Sequence, residues 1–444
     1  MQRISHILLL SMFLPSYATA AGGSDPAWVA FGDFRGETEP CGCDPTTDLG
    51  GLERLSNFLD QTRRTHPGIY VFDLGNNFSR KNLDDGKAKT IAASLDVIAS
   101  SASLFNETEA LFFAKNKMSS PKNQTYILTS STRKQPFVKT HLADDKVLVL
   151  GFVEGRSDPK DFLKLRDAFA QKFPGRKKVL LFAGSKTLLA TATSGDFFDV
   201  VIASNSSNWE TQPSPIEKEE PGRLLVAPEI YAVPVFGQGV LLGDALRSTP
   251  ALGIEKCPGG GECKKEGLSL DGLVPQQSLF AWLTTEFKGP SKLAKVMENL
   301  DQEETRLFLA HAAKKKAEGH PSPFVGAQAC AACHLQAYEK WKESKHASAY
   351  KALPPEKRTN LECVNCHVLG LEIPGGFISE EATPEFASVQ CETCHGPRKE
   401  HVMNPTVKPK KAASAREVCT SCHHLPHSAD FKFNEYWPKI EHGK

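Results

Sequence analysis

The chain has 444 residues, 40% of them apolar and 24% charged, with a mean hydropathy of -0.32. This is enough for two or more cored domains, and it excludes a disordered chain, a collagen-like repeat and a multi-span membrane protein. A formal net charge of +1 provides no global basicity with which to hold nucleic acid, and no nucleic-acid partner is expected.

Residues 1–20 carry Arg3, an apolar run from Ile7 to Leu14, and the small residues Ala18-Thr19-Ala20 before Ala21. This is the pattern of a cleaved export signal, and its apolar run is about half the ~20 residues a membrane span needs. The expectation is a periplasmic, secreted or cell-surface protein with no transmembrane span in the mature chain. From Trp28 to Leu246, short apolar runs alternate with stretches of helical spacing. Strands are predicted at Trp28–Phe31, Ile69–Phe72, Val147–Leu150, Val179–Phe182 and Val200–Ile202. Helices are predicted at Leu52–Arg64, Ala88–Ala99, Phe162–Phe173 and Lys186–Thr193. The alternation predicts an α/β domain over residues 21–255, with its strands covered on their faces. The stretch Pro213–Pro221 reads as a surface loop.

Within this domain, Gly32-Asp33-Phe34-Arg35-Gly36, Pro40-Cys41-Gly42-Cys43, Gly50-Gly51-Leu52 and Phe72-Asp73-Leu74-Gly75-Asn76 follow one another. That order resembles the exported nucleotidase-like metallophosphoesterases. The resemblance implies a fold in which Asp, His and Asn at strand ends hold two metals that clamp a phosphate and activate water. This chain departs from the pattern at most positions. Arg35 stands where the first His is expected and Asn76 where a bridging Asp is expected. No Gly-Asn-His lies near Asn106, and the expected His-x-His reads Asn205-Ser206-Ser207-Asn208. Apart from His6, only His66 and His141 precede residue 300. The reading is therefore a degenerate phosphoesterase-like fold without phosphatase activity, and such a fold does not by itself assign a function. Cys41 and Cys43 read either as a redox thiol pair or soft-metal site, or as a disulfide, across Gly42 or to Cys257 and Cys263.

Residues 256–322 read as a linker. Cys257-Pro258-Gly259-Gly260-Gly261-Glu262-Cys263 is a tight glycine-rich loop whose ordinary reading is a local disulfide. Leu279–Phe287 and Ser291–Glu318 have helical spacing, and Lys314-Lys315-Lys316 reads as a solvated helix end whose cations suit the macrodipole. His320-Pro321-Ser322-Pro323 ends that helix and opens a last domain, 323–444.

Eight of the 12 cysteines and nine of the 14 histidines lie after residue 325. Four segments fit C-x-x-C-H: Cys330, Cys333 and His334; Cys363, Cys366 and His367; Cys391, Cys394 and His395; Cys419, Cys422 and His423. The spacing lets two thiols add to the vinyl groups of one haem while the adjacent His supplies a proximal iron ligand. Zinc or a disulfide framework does not require that fixed His. Four covalent c-type haems are predicted. Met403 is the only methionine of this domain, whereas His346, His401, His424, His427 and His442 are spare, so mostly bis-His ligation is predicted, with lower potentials than His/Met haems. Long apolar stretches are few, so the porphyrins are expected to form the core, with Trp341, Tyr350, Tyr436 and Trp437 packed on them.

Phe324-Val325-Gly326-Ala327-Gln328-Ala329 before the first motif, then Trp341 and Ser344-Lys345-His346-Ala347, resemble the tetrahaem cytochromes c of the c-554 type, which take electrons from hydroxylamine oxidation. Cys394-His395-Gly396-Pro397 with His401, and Trp437-Pro438-Lys439-Ile440-Glu441-His442, are similar to the same family. The resemblance implies that His346, His401 and His442 are distal ligands and that one haem can be five-coordinate. Of the adjacent His424 and His427, His427 is the further distal candidate and the other faces solvent or a propionate. Three function classes follow. The first is an exported electron carrier whose partners are other cytochromes or a membrane quinol-linked donor. The second is an oxidoreductase acting on a small nitrogen or sulfur compound at an open haem or at Cys41/Cys43. The third, least favoured, is a phosphatase with a cytochrome tail.

Overall fold

The computed structural model describes residues 26–40, 48–78, 83, 85–104, 107–119, 121–122, 125–127, 138–139, 141–155, 157–195, 197–204, 229–232, 239–243, 246, 280–407, 413–424, 428 and 431–443. Residues 1–20, read as an export signal, together with Cys41, Cys43, Asn106, Asn205–Asn208, the Pro213–Pro221 stretch, Cys257, Cys263 and His427, lie outside the described residues.

The described strands form two sheets. One runs in the order β12 (Phe280–Trp282), β11 (Gly239–Leu242), β1 (Trp28–Phe31), β2 (Tyr70–Asp73), β3 (Ala102–Leu104), β4 (Tyr126–Ile127), β5 (Val138–Lys139). The other runs β10 (Glu229–Ala232), β9 (Val200–Ser204), β8 (Lys177–Ala183), β7 (Val147–Val153), β6 (His141–Ala143). Strands β1 to β5 and β7 to β10 pair in parallel, while β11, β12 and β6 are joined antiparallel.

Strand periodicity sorts the side chains into layers. Val29, Phe31 and Val71 face α1 (Leu52–Thr65), α2 (Asp85–Ile98) and α3 (Glu107–Asn116). Trp28, Ala30 and Phe72 face the other way and meet Val149, Leu181 and Ile202 of the second sheet. The far side of that sheet, with Leu148, Leu150 and Phe152, is covered by Phe162 and Phe169 of α4 (Pro159–Lys172) and Leu189 of α5 (Lys186–Ala192). The N-terminal half is thus four layers, helix, sheet, sheet, helix. Each sheet is covered on one face by the other sheet, where the sequence suggested only strands with covered faces.

The stretch 279–287, expected to be helical, is β12 followed by a short 3-10 turn, Thr285–Phe287. Ala281 pairs with Val240, and Ala281 and Leu283 are both fully buried two residues apart, a strand period. In so short an apolar run the two periods are hard to separate.

Helix α6 (Ala294–Glu318) follows and ends where Gly319 turns left-handed, at φ 60°, its N–H returning to the Lys315 carbonyl. Met297 and Leu300 join the core beside the first sheet, while Phe308 enters a separate cluster with Phe324, Tyr350, Val364, Phe377 and Phe386. The C-terminal segment therefore has a conventional apolar core of its own, contrary to the expectation that porphyrins alone would supply one. Tyr350 belongs to it, 5.5 Å from the Phe377 ring. Nor is the lysine run merely a solvated end: Lys315 Nζ donates to the carbonyls of Gly370 (3.2 Å), Leu371 (2.5 Å), Ile373 (3.0 Å) and Phe377 (2.9 Å).

Among the described residues, eight short α-helices follow: α7 (Ala327–Ala331), α8 (Leu335–Lys342), α9 (Ala349–Ala352), α10 (Leu361–His367), α11 (Cys391–His395), α12 (Lys399–Met403), α13 (Ala415–Thr420) and α14 (Phe433–Ile440). Helices α8, α12, α13 and α14 bury no residue. Among the described residues, no helix is long and apolar enough to cross a membrane.

Candidate functional site

Each C-x-x-C-H motif sits on or beside one turn of helix. Cysteines three apart then share a face, and the histidine stacks over the first of them. Capping sets these turns. Asn360 Oδ1 accepts from the backbone of Glu362 (2.9 Å) and Cys363 (3.2 Å) at the start of α10, and Ser414 with Glu417 forms a capping box on α13. The motifs also support one another. Glu392, a buried spacer residue of the third motif, accepts from the N–H groups of Val325 (2.9 Å), Gly326 (2.9 Å) and Arg398 (2.7 Å). Gln390 accepts from Ala327 N at 2.6 Å. The Cys330 thiol is hydrogen-bonded to that of Cys391, and Cys422 to Cys366, so the first motif lies against the third and the second against the fourth.

Histidines far apart in the chain come close together, their rings tilted or edge-on to one another. The rings of His334 and His401 have centroids 6.4 Å apart, those of His346 and His423 6.1 Å, and those of His395 and His442 5.7 Å. A metal held by an imidazole nitrogen on each side, with bonds of about 2 Å, sets ring centroids about 6 Å apart. The donor set and its spacing would therefore fit an iron held between two imidazoles. His334, His395 and His423, each the histidine of a C-x-x-C-H motif, lie beside His401, His442 and His346, respectively. The ring of the fourth motif histidine, His367, is held through Nδ1 by the Ala349 carbonyl at 2.6 Å.

That contact is one of a set. His401 Nδ1 meets the Val407 carbonyl at 3.0 Å and His442 Nδ1 meets the Ile440 carbonyl at 3.0 Å. A nitrogen facing a carbonyl must carry the proton, so the lone pair sits on Nε2, the nitrogen left to bind metal. His423 Nδ1 lies 3.1 Å from the Ser428 hydroxyl. Burial holds His346, His395 and His423 below the ordinary imidazole range, in the neutral form that ligation needs. Trp341 donates its indole N–H to the Val389 carbonyl at 2.8 Å, Tyr436 packs on Phe431 and Trp437 stacks on Phe433. Met403 is exposed. Nothing in the motif pattern pointed to Glu392, Gln390 or Lys315; their only sequence signal was a charged or amide residue beside a motif or in a lysine run.

The N-terminal strand ends form a second polar cluster. Asp33, fully buried, receives the Arg35 guanidinium through two bonds of 2.9 and 3.0 Å and a further bond from the Asn76 amide. Asp73 accepts from Asn77 Nδ2 at 3.0 and 3.2 Å and from Gly75 N at 2.9 Å, and Glu109 accepts from Asn77 N at 3.0 Å. Burial pushes the Asp33 carboxyl up against the pull of Arg35 and Asn76. Asp33, Arg35 and Asn76 all take positive φ, at 58°, 51° and 61°, conformations rare outside glycine. Among the described residues, no group of three His, Cys, Asp or Glu could hold a metal ion. These residues do not fit a two-metal centre: the cation beside Asp33 is the protein's own.

Residues 329–396 match the family described as cytochrome c554 and c-prime. Cytochrome c-554 of Nitrosomonas europaea is 33% identical over a 92-residue alignment, with 17% of this chain and 39% of that protein covered. The chain thus spans well under half the length of this curated relative. The solved reduced state of cytochrome c554 from Nitrosomonas europaea is 26% identical, over 25% of this chain and 70% of that one, with a TM-score of 0.20. A calcineurin-like phosphoesterase of Bacillus subtilis is 11% identical, over 63% of this chain and 97% of that one, with a TM-score of 0.40.

Proposed function

From a cytochrome c554-like region at residues 329–396, we propose that the chain is an exported c-type cytochrome that passes electrons through four covalently bound, mostly bis-His haems. The observation that carries this reading is the set of three imidazole pairs with centroids 5.7 to 6.4 Å apart, each including the histidine of a C-x-x-C-H motif. Cys330 with Cys333, Cys363 with Cys366, Cys391 with Cys394 and Cys419 with Cys422 would anchor the four groups. His334, His367, His395 and His423 would be the proximal ligands, with His346, His401, His442 and His427 as distal candidates. Bound there, haem c supplies a one-electron couple whose potential depends on its axial ligands and surroundings. The chain's part is to fix the ring orientation through Nδ1 and to hold the motifs against one another through Glu392 and Gln390. Redox proteins, other cytochromes or a quinol-linked donor, are the proposed partners, in the periplasm or at the cell surface. The proposed division is an export signal at 1–20, an α/β domain at 21–255, a linker at 256–322 and the haem domain at 323–444.

Haem content per chain, with electron paramagnetic resonance during a redox titration, tests this. Four haems with mainly low-spin signals are expected. Fewer haems, or no electron exchange with any cytochrome or quinol-linked donor, would sink the reading.

The alternative reading is an oxidoreductase acting on a small nitrogen or sulfur compound at an open haem or at Cys41/Cys43. A high-spin signal perturbed by nitrite, cyanide or hydroxylamine, with turnover lost on Cys41→Ser, is the result this reading requires.

A further inference from the structure

The ion pairs that join the N-terminal layers to the C-terminal segment converge on residues 357–362. Lys87 of α2, its side chain 7% exposed, places Nζ 2.6 Å from Oε2 of Glu362, in the first turn of α10 and adjacent to Cys363. Lys357 reaches both Glu39, on the loop after β1, and Asp301 of α6 at 3.3 Å. The hydroxyls of Thr305 and Thr359 meet at 3.0 Å, and Val364, inside the second motif, is fully buried in the cluster that Phe308 enters from α6.

The N-terminal side of this contact is itself held firmly. Arg35 N donates to the Asn76 carbonyl at 3.1 Å, Gly36 N to that of Asn77 at 2.8 Å, and Leu52 N to that of Thr38 at 2.9 Å. The loop carrying Glu39 is therefore tied to the ends of β1 and β2 and to the start of α1. Lys87 is nearly buried while its partner Glu362 is 35% exposed, so solvent and salt screen the pair only in part and its lysine end still acts on whatever lies nearby.

We infer that the N-terminal domain is a built-in clamp on the second haem-attachment segment, and that its Lys87, paired with Glu362, sets in part the potential of the haem held by Cys363, Cys366 and His367. The inference rests on the reading that the C-x-x-C-H motifs carry haem, and it gives the N-terminal domain a task that needs neither metal nor substrate. Taking up one electron adds a negative charge at the iron. The Lys87 cation favours that state, and the Glu362 carboxylate opposes it. Removing either must shift the same midpoint, in opposite directions.

The test uses the full-length holoprotein with Lys87→Ala and Glu362→Gln, after haem content has been measured in each. A wild-type protein without four haems would fail the function proposed above, separately from this inference. With four haems in place, spectroscopic redox titration should show one midpoint moving most, downward in Lys87→Ala and upward in Glu362→Gln. If Lys87→Ala does not accumulate, the upward shift of one midpoint in Glu362→Gln decides alone. Unmoved midpoints, a similar shift of all four, or shifts of one sign in both variants would overturn the clamp.

Discussion

At the scale of single residues, Arg35 marks the point where the N-terminal site departs from metal chemistry. Its guanidinium occupies both oxygens of a fully buried carboxylate. Breaking a buried pair strands a charge, which costs about 3–5 kcal/mol. Arg35→Ala should lower stability by that order in chemical denaturation, while wild-type unfolding should be the same in EDTA as in added manganese. A stabilising response of the wild type to manganese would contradict the assignment. The histidines make the second residue-scale case. His401 faces His334 with its Nδ1 tied to a carbonyl. Replacing it by Ala should convert one low-spin haem signal to high spin, leaving the haem count unchanged. The sequence made the donor types legible, because C-x-x-C-H is a local pattern; which histidines meet was not legible locally, since His334 and His401, or His346 and His423, are joined only by the tertiary path. Glu392 was hidden for the same reason: a glutamate between two cysteines looks like any polar spacer until Val325, Gly326 and Arg398 fold onto it.

Among the elements, α6 carries the most information. It presents Glu304 toward Lys357, Lys87, Asn360 and Glu39, and one buried oxygen of this carboxylate has no hydrogen-bond partner. Burial raises its pKa above the ordinary 4.5, outweighing the two lysines. A carboxyl whose folded pKa is raised contributes stability that is full below its unfolded pKa and is lost as pH rises through the folded one. Glu304→Gln should thus match the wild type near pH 4 and be the more stable of the two at neutral pH; equal stabilities at both would refute this. Helix α6 is readable from its spacing and from the His320-Pro321-Ser322-Pro323 stop, whereas β12 is not. The run 279–287 was too short to separate a strand from a helix, and its antiparallel partner β11 lies some forty residues upstream. Likewise the facing of the two sheets could not be read, because a strand buried on both faces has the same apolar run under a helix or under another sheet.

Across the whole molecule, the apolar interior is unevenly distributed. The four-layer half and the cluster around Phe308, Val364 and Phe377 are packed as ordinary protein cores, but α8, α12, α13 and α14 bury nothing. Helices this short do not persist alone in water. A variant with the motif cysteines replaced by alanine should therefore keep residues 294–377 resistant to protease and lose protection across 391–443. Uniform resistance along the chain would show that the C-terminal helices need no prosthetic group. The expectation that porphyrin supplies the interior is thus corrected for the part sealed by α6, and the protease experiment tests it for the rest.

Helix α6 is also a ruler with an angular scale. Met297 and Leu300 are seated in one core and Phe308 in the other, so the separation of the two halves is fixed by a rise of about 1.5 Å and a turn of about 100° per residue. Seven residues inserted between Leu300 and Phe308 would return Phe308 to nearly the same azimuth, about 10 Å further along the axis. Both cores could then still close, but Lys87 and Glu39 would be carried out of reach of Glu362 and Lys357. Helix phase and helix length would thereby be separated: the first governs whether the chain folds, the second whether its two ends remain in electrical contact.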